Sequence, residues 1–365
     1  MRLIKKLIKL VVFLVIIVVL VVAGYFGYVF FTYSRIEDNQ QLEVKNNGID
    51  VNTMASKLSE KEFTIVTQNI GFGAYTPDFT FFMDGGHESW AKSKDSVIET
   101  VNKAATKVKS YDPDFVLFQE VDFDSTRSYH TNQEDILLET FNDYASVGAV
   151  NYHSAFLMYP LYQPHGSSYS EILSLSKYNM ESSVRRSFPI STGISKLLDL
   201  DRCYSVSRVK LENDKELILY NVHMSAYGGS DEIRKGQMTM LFEDMKKEYD
   251  NGNYCVCGGD FNHDFTGDST QVLNGADAQS YGWAYPFPIE LLQDYEGIVR
   301  CTNYTSGSYT PTCRNCDVPY VEGNETFIVD GFLVSANVNV TYLENVDNKF
   351  EYSDHNPVVM KFTLS

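Results

Sequence analysis

Basic residues are scarce in this chain. Its 365 residues carry 30 Lys plus Arg against 48 Asp plus Glu, a formal net charge of −18. The shortage is uneven. Residues 1–34 hold Arg2, Lys5, Lys6 and Lys9 and no acid, so the remainder stands at −18 − 4 = −22. A surface of that sign repels polyanions unless a metal ion or a local basic cluster intervenes, which excludes an ordinary basic nucleic-acid-binding module. Proline is sparse too, with ten residues and no periodic tract, so the chain is neither collagen-like nor mostly linker. Apolar residues are not lacking. They make up 44% of the chain, with 23 Phe and 25 Tyr, which excludes wholesale disorder. The length suits one large domain or two ordinary ones.

Long hydrophobic runs are likewise rare, with one exception. Residues 10–31 are 22 positions without a charge, mostly Val, Ile, Leu and Phe. As a helix they span about 33 Å, enough for a bilayer core. The run exceeds the roughly 7–15 apolar residues of a cleaved signal peptide, and no A-x-A site follows Val22. It therefore reads as an uncleaved signal anchor. Its cations all precede it, which keeps residues 1–9 cytoplasmic and exports the rest. The expected organisation is a basic tail at 1–9, a transmembrane helix at 10–32, a polar stalk at 33–60 and a folded domain at 61–365.

Cysteine is limited to six residues, all in the exported part. Cys255 and Cys257 alternate on an expected strand and read as small buried thiols. Cys301, Cys313 and Cys316 lie in a polar loop in an oxidising compartment, so one disulfide is expected among them, with the pairing open. Cys313-Arg314-Asn315-Cys316 has no second ligand pair at zinc spacing, which argues against structural zinc.

Short apolar runs at 63–70, 114–119, 216–222, 253–258, 327–334 and 357–364 read as strands. Val97, Val101, Ala104, Ala105 and Val108 form one helical stripe, and Ile233, Met240, Leu241 and Met245 a looser one. This is an α/β pattern without barrel regularity or repeats. Polar and ionisable residues recur at the strand ends, where open α/β sheets place ligands. Asn69, Glu120 and His223 close three strands, and Asp260 and Asn262 follow a fourth. Asp330 opens the run expected to lie beside the terminal strand, and Asp354 and His355 precede that strand. Any one of these has an ordinary reading as turn chemistry. Six strand ends with one chemical theme do not.

Gly258-Gly259-Asp260-Phe261-Asn262 and Ser353-Asp354-His355-Asn356-Pro357-Val358, with Gln119-Glu120-Val121 and Asn221-Val222-His223 in the same order, resemble the endonuclease/exonuclease/phosphatase superfamily over about residues 62–365. The resemblance implies a four-layer sandwich, two mixed β-sheets face to face with helices outside. It also implies a His355–Asp330 pair at the scissile phosphate, Asp260 activating water, and Asn262 and His223 orienting phosphoryl oxygens. The residues make chemical sense on their own. Asn69, Glu120 and Asp354 offer the hard oxygen ligands that Mg²⁺ prefers, with Mn²⁺ as a substitute.

Weaker candidates are Arg127, Arg202 and Arg185-Arg186 as phosphate grips, and Glu171 as a support for His223. The insertion Asp84-Gly85-Gly86-His87 is read as a helix-capping turn or a substrate loop, and His263 and Asp264 extend the Asp260 loop. Three functions compete. The first is a metal-dependent hydrolase of a phosphate ester, nucleic acid or nucleotide included. The second is a phospholipid hydrolase resembling sphingomyelinases, against which no single exposed aromatic hairpin stands out. The third is a binding protein that kept the fold. The membrane is an expected partner through the amino-terminal helix, and no feature requires an obligate protein partner.

Overall fold

The structure, a computed structural model, describes residues 2–46, 61–191, 201–211, 214–226, 230–278 and 284–365. Helix α1 (Arg2–Thr32) comes first, then two short strands, β1 (Gln40–Leu42) and β2 (Lys45–Asn46). The chain continues through β3 (Phe63–Asn69), α2 (Lys94–Lys109), β4 (Phe115–Asp122), α3 (Gln133–Thr140) and the long hairpin β5 (Ala145–Leu157) and β6 (Gly166–Ser176). Next come β7 (Ser182–Ser187), β8 (Cys203–Lys210), β9 (Glu216–His223), α4 (Asp231–Asp250) and β10 (Tyr254–Asp260). The last third holds β11 (His263–Asp264), α5 (Ser269–Asn274), β12 (Tyr285–Pro286), α6 (Ile289–Gln293), β13 (Ile298–Cys301), β14 (Cys313–Arg314) and β15 (Thr326–Phe327). It ends with β16 (Asp330–Ser335), β17 (Val338–Asn345) and β18 (Val358–Leu364).

Two seven-stranded sheets result, in the orders β1-β7-β8-β9-β10-β16-β13 and β17-β18-β3-β4-β6-β5-β2. Each is mixed, because β9 and β10 are parallel in the first and β3 and β4 in the second, among antiparallel neighbours. The central strands are apolar on both faces, as strands covered on both sides must be. Phe63, Ile65, Phe115 and Leu117 of one sheet meet Leu217, Leu219, Val256 and Phe332 of the other in a common core. Outside the second sheet, α2 buries the expected stripe Val97, Val101, Ala104, Ala105 and Val108. Ser93 starts this helix by accepting the Ser96 N–H, and Lys107 and Lys109 sit in its last turn, where the helix dipole favours cations. Outside the first sheet, α4 buries Met238, Leu241, Phe242 and Met245, so its apolar face is rotated from the expected one. Ile233 and Met240 are only half-buried. The architecture is the expected one of two mixed sheets flanked by helices.

Among the strands not expected from the sequence are β5, β7 and β8, and the serines concentrate in β6 and β7, with five and three. Away from the apolar core the sheets also meet through hydroxyls, since Ser174 on β6 lies 3.3 Å from Ser205 on β8. Ser183 and Ser207, 2.9 Å apart, pair within the first sheet. The expected run 327–334 divides into β15 and β16.

Three further expectations are corrected. The segment 33–60 is not a free stalk over its first part, because β1 pairs with β7 and β2 with β5, one on each sheet. Asp38 also accepts hydrogen bonds from Arg186 Nε and Ser187 N. The rest of that stretch, 47–60, lies outside the described residues. All six cysteines are free and buried. Cys301, Cys313 and Cys316 belong to three separate packing clusters, which leaves none of them a bonding partner. Finally, β16 does not neighbour β18, since the two strands belong to opposite sheets.

Glu171 on β6 is buried against Gly148 of β5, where an added Cβ would meet its carboxylate at 2.2 Å. Burial, aided by Glu134 and opposed by Lys45, pushes its carboxyl from 4.5 up to about 8. The folded chain thus keeps a proton that the unfolded chain releases between those values. Stability is full below about pH 4.5 and declines as pH rises toward 8. Glu171→Gln should remove this decline. Urea midpoints at pH 5 and pH 8.5 should differ less in the variant than in the parent, by up to a few kcal/mol in unfolding free energy.

Candidate active site

The expected site residues meet at one end of the sandwich because of strand register. In the first sheet Asp260 lies opposite His223 on the parallel strand β9 and opposite Asp330 on the antiparallel strand β16. Three strand ends therefore present His223, Asp260 and Asp330 side by side. The motif glycines make room for this. Gly258 has the Phe332 ring where a Cβ would sit, and Gly259 has φ +145 with the Val222 carbonyl oxygen 2.0 Å from that position. Neither position admits a side chain.

The second sheet contributes Asn69 from the end of β3 and Glu120 from β4. A bulge against β6 interrupts β4 between Phe118 and Val121, and within it Glu120 adopts φ +56. That left-handed conformation costs a non-glycine residue about 1–2 kcal/mol. It turns Glu120 into the cavity while Gln119 stays buried between the sheets. Gln119 Nε2 donates to Asn221 Oδ1 at 2.8 Å, and Asn221 Nδ2 donates back to the Phe118 and Leu173 carbonyls at 3.2 Å. This amide pair joins the sheets one residue beneath Glu120 and two beneath His223.

Asp354 and His355 arrive on the loop before β18. Ser353 Oγ donates to the Asn69 carbonyl at 2.9 Å and accepts the His355 N–H at 3.1 Å. Asn356 donates to the Thr312 and Pro311 carbonyls, pinning the other side. His355 crosses from the second sheet to the first, where its Nδ1 lies 2.8 Å from Asp330 Oδ2.

Asp260 is the centre of the arrangement. Its Oδ2 accepts from Asn69 Nδ2 at 3.0 Å and lies 3.5 Å from His223 Nε2 and 3.8 Å from His355 Nε2. Its Oδ1 accepts the Asn262 N–H at 2.8 Å, and Asn262 Nδ2 donates to the Met224 carbonyl at 2.9 Å. Glu120 Oε1 lies 3.9 Å from His223 Nε2 and 3.4 Å from Asn69 Nδ2. Among the described residues, ligand atoms of Asp260, Asp330 and His355 lie within 4.8 Å of one another and form a group able to hold a metal. Within it, His355 Nδ1 is engaged by Asp330. Glu120 and Asp354 adjoin this group with carboxylates, and Asn69 presents its Nδ2 to Asp260 and Glu120 while its Oδ1 accepts the Gly71 N–H.

Burial divides the ionisable groups sharply. It pushes the Asp260 carboxyl up to about 7, with His355 opposing and Asp330 adding to the rise. It pushes Asp354 up to about 6, with His355 and Arg314 opposing and Glu120 contributing. His355 behaves oppositely to what its burial favours. Asp330, aided by Cys313, Asp260 and Asp354, holds its imidazolium well above the ordinary range. His223 is held well below that range by burial, then by Arg202, His355 and Arg127. Two imidazoles on one cavity thus stand in different charge states, an arrangement suited to divided acid–base roles.

The weaker candidates separate. Arg127 and Arg202 line the cavity. Arg127 also grips Asp122 through Nε and Nη2 at 3.0 and 2.9 Å and stacks on the Phe72 ring at 3.8 Å. Arg185 is tied to the Val150 and Asp201 carbonyls, and Arg186 to Asp38 and Asp244, none of which line the cavity. Glu171 does not support His223, since its Oε1 and His223 Nδ1 both lack a hydrogen-bond partner. Asp264 caps the turn into α5 by accepting from Gly267, Ser269 and Thr270, and His263 Nδ1 bonds the Phe261 carbonyl. Asp84 lines the cavity. Sequence reasoning missed Arg314, fully buried beside Asp354, because Cys313-Arg314-Asn315-Cys316 drew attention to its thiols.

The chain also matches known proteins. Residues 66–355 match the model of the Endonuclease/Exonuclease/phosphatase family. Among solved structures, an endonuclease/exonuclease/phosphatase from Beutenbergia cavernae superposes with a TM-score of 0.57 at 16% identity, covering 84% of this chain and 72% of its own. One from Bacteroides vulgatus gives 0.53 at 17%, covering 84% and 100%. The catalytic domain of human Nocturnin with bound sulfate gives 0.50 at 15%, covering 83% and 95%. No curated protein sequence matches the chain. The family model spans most of the chain, and the chain belongs to the endonuclease/exonuclease/phosphatase family.

Proposed function

We propose that this hydrolase cleaves a phosphodiester with the help of a divalent cation, in a domain anchored outside the cytoplasmic membrane by α1. The observation that carries the reading is the position of Asp260 between two imidazoles of different charge state, next to a second pair of carboxylates. Asn69, Glu120 and Asp354 fit Mg²⁺ or Mn²⁺. All three are hard oxygen donors, and Asn69 Oδ1 retains a lone pair beyond the one used by the Gly71 N–H. Glu120 raises the Asp354 pKa, so the two carboxylates repel and a cation between them would relieve the repulsion. When bound, the ion supplies Lewis acidity and neutralises charge on the phosphoryl oxygens.

The chain's own residues do the rest. Asp260, with a carboxyl near 7, accepts the proton of the attacking water. His355, oriented by Asp330, holds a proton on Nε2 for the phosphoryl or leaving oxygen. Neutral His223 and Asn262, beside Asp260, orient the phosphoryl group. The Arg127 and Arg202 guanidiniums favour an anion in a cavity otherwise rich in acids.

Helix α1 is the one described helix long and apolar enough to cross a membrane. All four of its cations lie in its amino-terminal turns, which supports export of the domain. Protease added to intact cells should digest the domain following α1, and complete protection of that segment would refute the topology.

EDTA should abolish hydrolysis of bis(p-nitrophenyl) phosphate by the purified full chain, and Mg²⁺ or Mn²⁺ should restore it. Glu120→Gln should weaken the Mn²⁺-induced rise in melting temperature while leaving the metal-free melt nearly unchanged. Full turnover in chelator would end the cation reading.

His355→Ala and Asp330→Asn should each lower kcat by about 10²–10⁴, the range for general acid–base groups. The double variant should fall far short of the product of these losses, because paired residues are not additive. If His355 serves only the loop, the variants instead lose about 1–2 kcal/mol of stability with kcat nearly intact. Folded His355→Ala with near-native turnover would exclude the mechanism.

A further inference from the structure

The cavity above Asp260 holds about 840 Å³ and is not walled by the catalytic domain alone. Val21, Val22, Tyr25, Phe26 and Val29 of α1 line it together with Glu120, Asp260, Asp354 and His355. The helix is held there by directed contacts. Tyr25 Oη donates to the Phe156 carbonyl at 3.2 Å and accepts the Met158 N–H at 2.9 Å. Tyr28 Oη accepts the Phe156 N–H at 3.3 Å, and Val29 is buried.

These residues belong to the carboxyl-terminal part of the apolar run. From Val21 to Val29 the helix rises about 12 Å, in the half of a bilayer next to the exported domain. The β5–β6 connection, which α1 contacts at Met158, exposes Tyr159, Leu161 and Tyr162 at 72%, 78% and 68%. This is the exposed aromatic hairpin that the sequence did not disclose. Tyrosine beside aliphatic side chains is the composition of a bilayer interface. The remaining wall includes Phe72, Phe81, Phe82 and Met83, with the polar Asp84 and His165 beside them.

We infer that α1 is a substrate-binding element as well as an anchor, and that the substrate is a membrane lipid carrying a phosphodiester, drawn sideways from the adjacent leaflet. Its phosphate lies between Glu120 and His355, and its hydrocarbon lies in the apolar passage between α1 and the β5–β6 connection. A nucleic acid fits poorly, because its repeating charges would face an acidic chain and an apolar wall next to the bilayer. The inference rests on the phosphodiesterase reading and narrows it. The chemistry stays hydrolysis. Water oxygen bonds to phosphorus, one P–O ester bond breaks, and the leaving alkoxide takes a proton to depart as an alcohol.

The test uses the full chain reconstituted in vesicles of phosphatidylcholine, phosphatidylglycerol and sphingomyelin with Mg²⁺. Parallel arms contain glycerophosphocholine, duplex DNA or bis(p-nitrophenyl) phosphate. Two exposed changes, Leu161→Glu on the rim and Val22→Trp in the passage, are compared with the parent, and their melting curves report folding. The expected result is release of lipid headgroup or phosphorylated headgroup from the vesicles. The ratio of vesicle to bis(p-nitrophenyl) phosphate turnover should fall at least tenfold in both variants. An unchanged ratio in both folded variants would overturn the role of α1 and the rim. Turnover of bis(p-nitrophenyl) phosphate without any vesicle hydrolysis, or faster cleavage of DNA or glycerophosphocholine than of lipid, would overturn the lipid substrate while leaving the phosphodiesterase reading standing. Inactivity in every arm would remove both.

Discussion

The arrangement depends on one carboxylate at the seam between two sheets. Asp260 receives Asn69 from one sheet, neighbours His223 and Asp330 within the other, and faces His355, which crosses the seam from the terminal loop. Holding acids and imidazoles this close is costly in a buried setting unless their charges are apportioned. Here the apportioning is geometric. Asp330 stabilises the His355 imidazolium, whereas His223 has no carboxylate on Nδ1 and stays neutral under burial and two guanidiniums.

Such a site tolerates little slippage between the layers. The apolar core holds the sheets together without preferring one register, since hydrophobic contact is non-directional. Directional bonds set it. The Gln119–Asn221 amide pair lies directly beneath the site, and the contact between Ser174 and Ser205 continues the interface outward. Glu120 can then hold a strained backbone angle because the bulge around it is fixed from both sides.

The amino-terminal segment extends the same logic outward. Residues 33–46 pair with an edge of each sheet, and the last turns of α1 pack on the β5–β6 hairpin. A helix attached this way has a fixed relation to the cavity, unlike one on a free stalk. The strand ends around Asp260 and the apolar helix therefore meet in one space.

Much was legible in the order of the residues. The apolar run of α1, the α2 stripe and the strands ending at Asn69, His223 and Asp260 carry their pattern locally, because strand and helix periodicities are local properties. The motif residues Asp260, Asn262, Asp354 and His355 were legible through their resemblance to a family, since close packing at Gly258 and Gly259 restricts what the loop can be. The strands β5, β7 and β8 were not legible, because polar residues interrupt their apolar pattern and their strand partners exist only in the folded sheets. Nor was the disposition of Asp330, which lies in the opposite sheet from the strand following His355, a matter of topology rather than period. The separation of the three loop cysteines, the turn of Glu120 into the cavity and the closure of that cavity by α1 were likewise tertiary outcomes. Each depends on distances between segments remote in the chain, which no local pattern records.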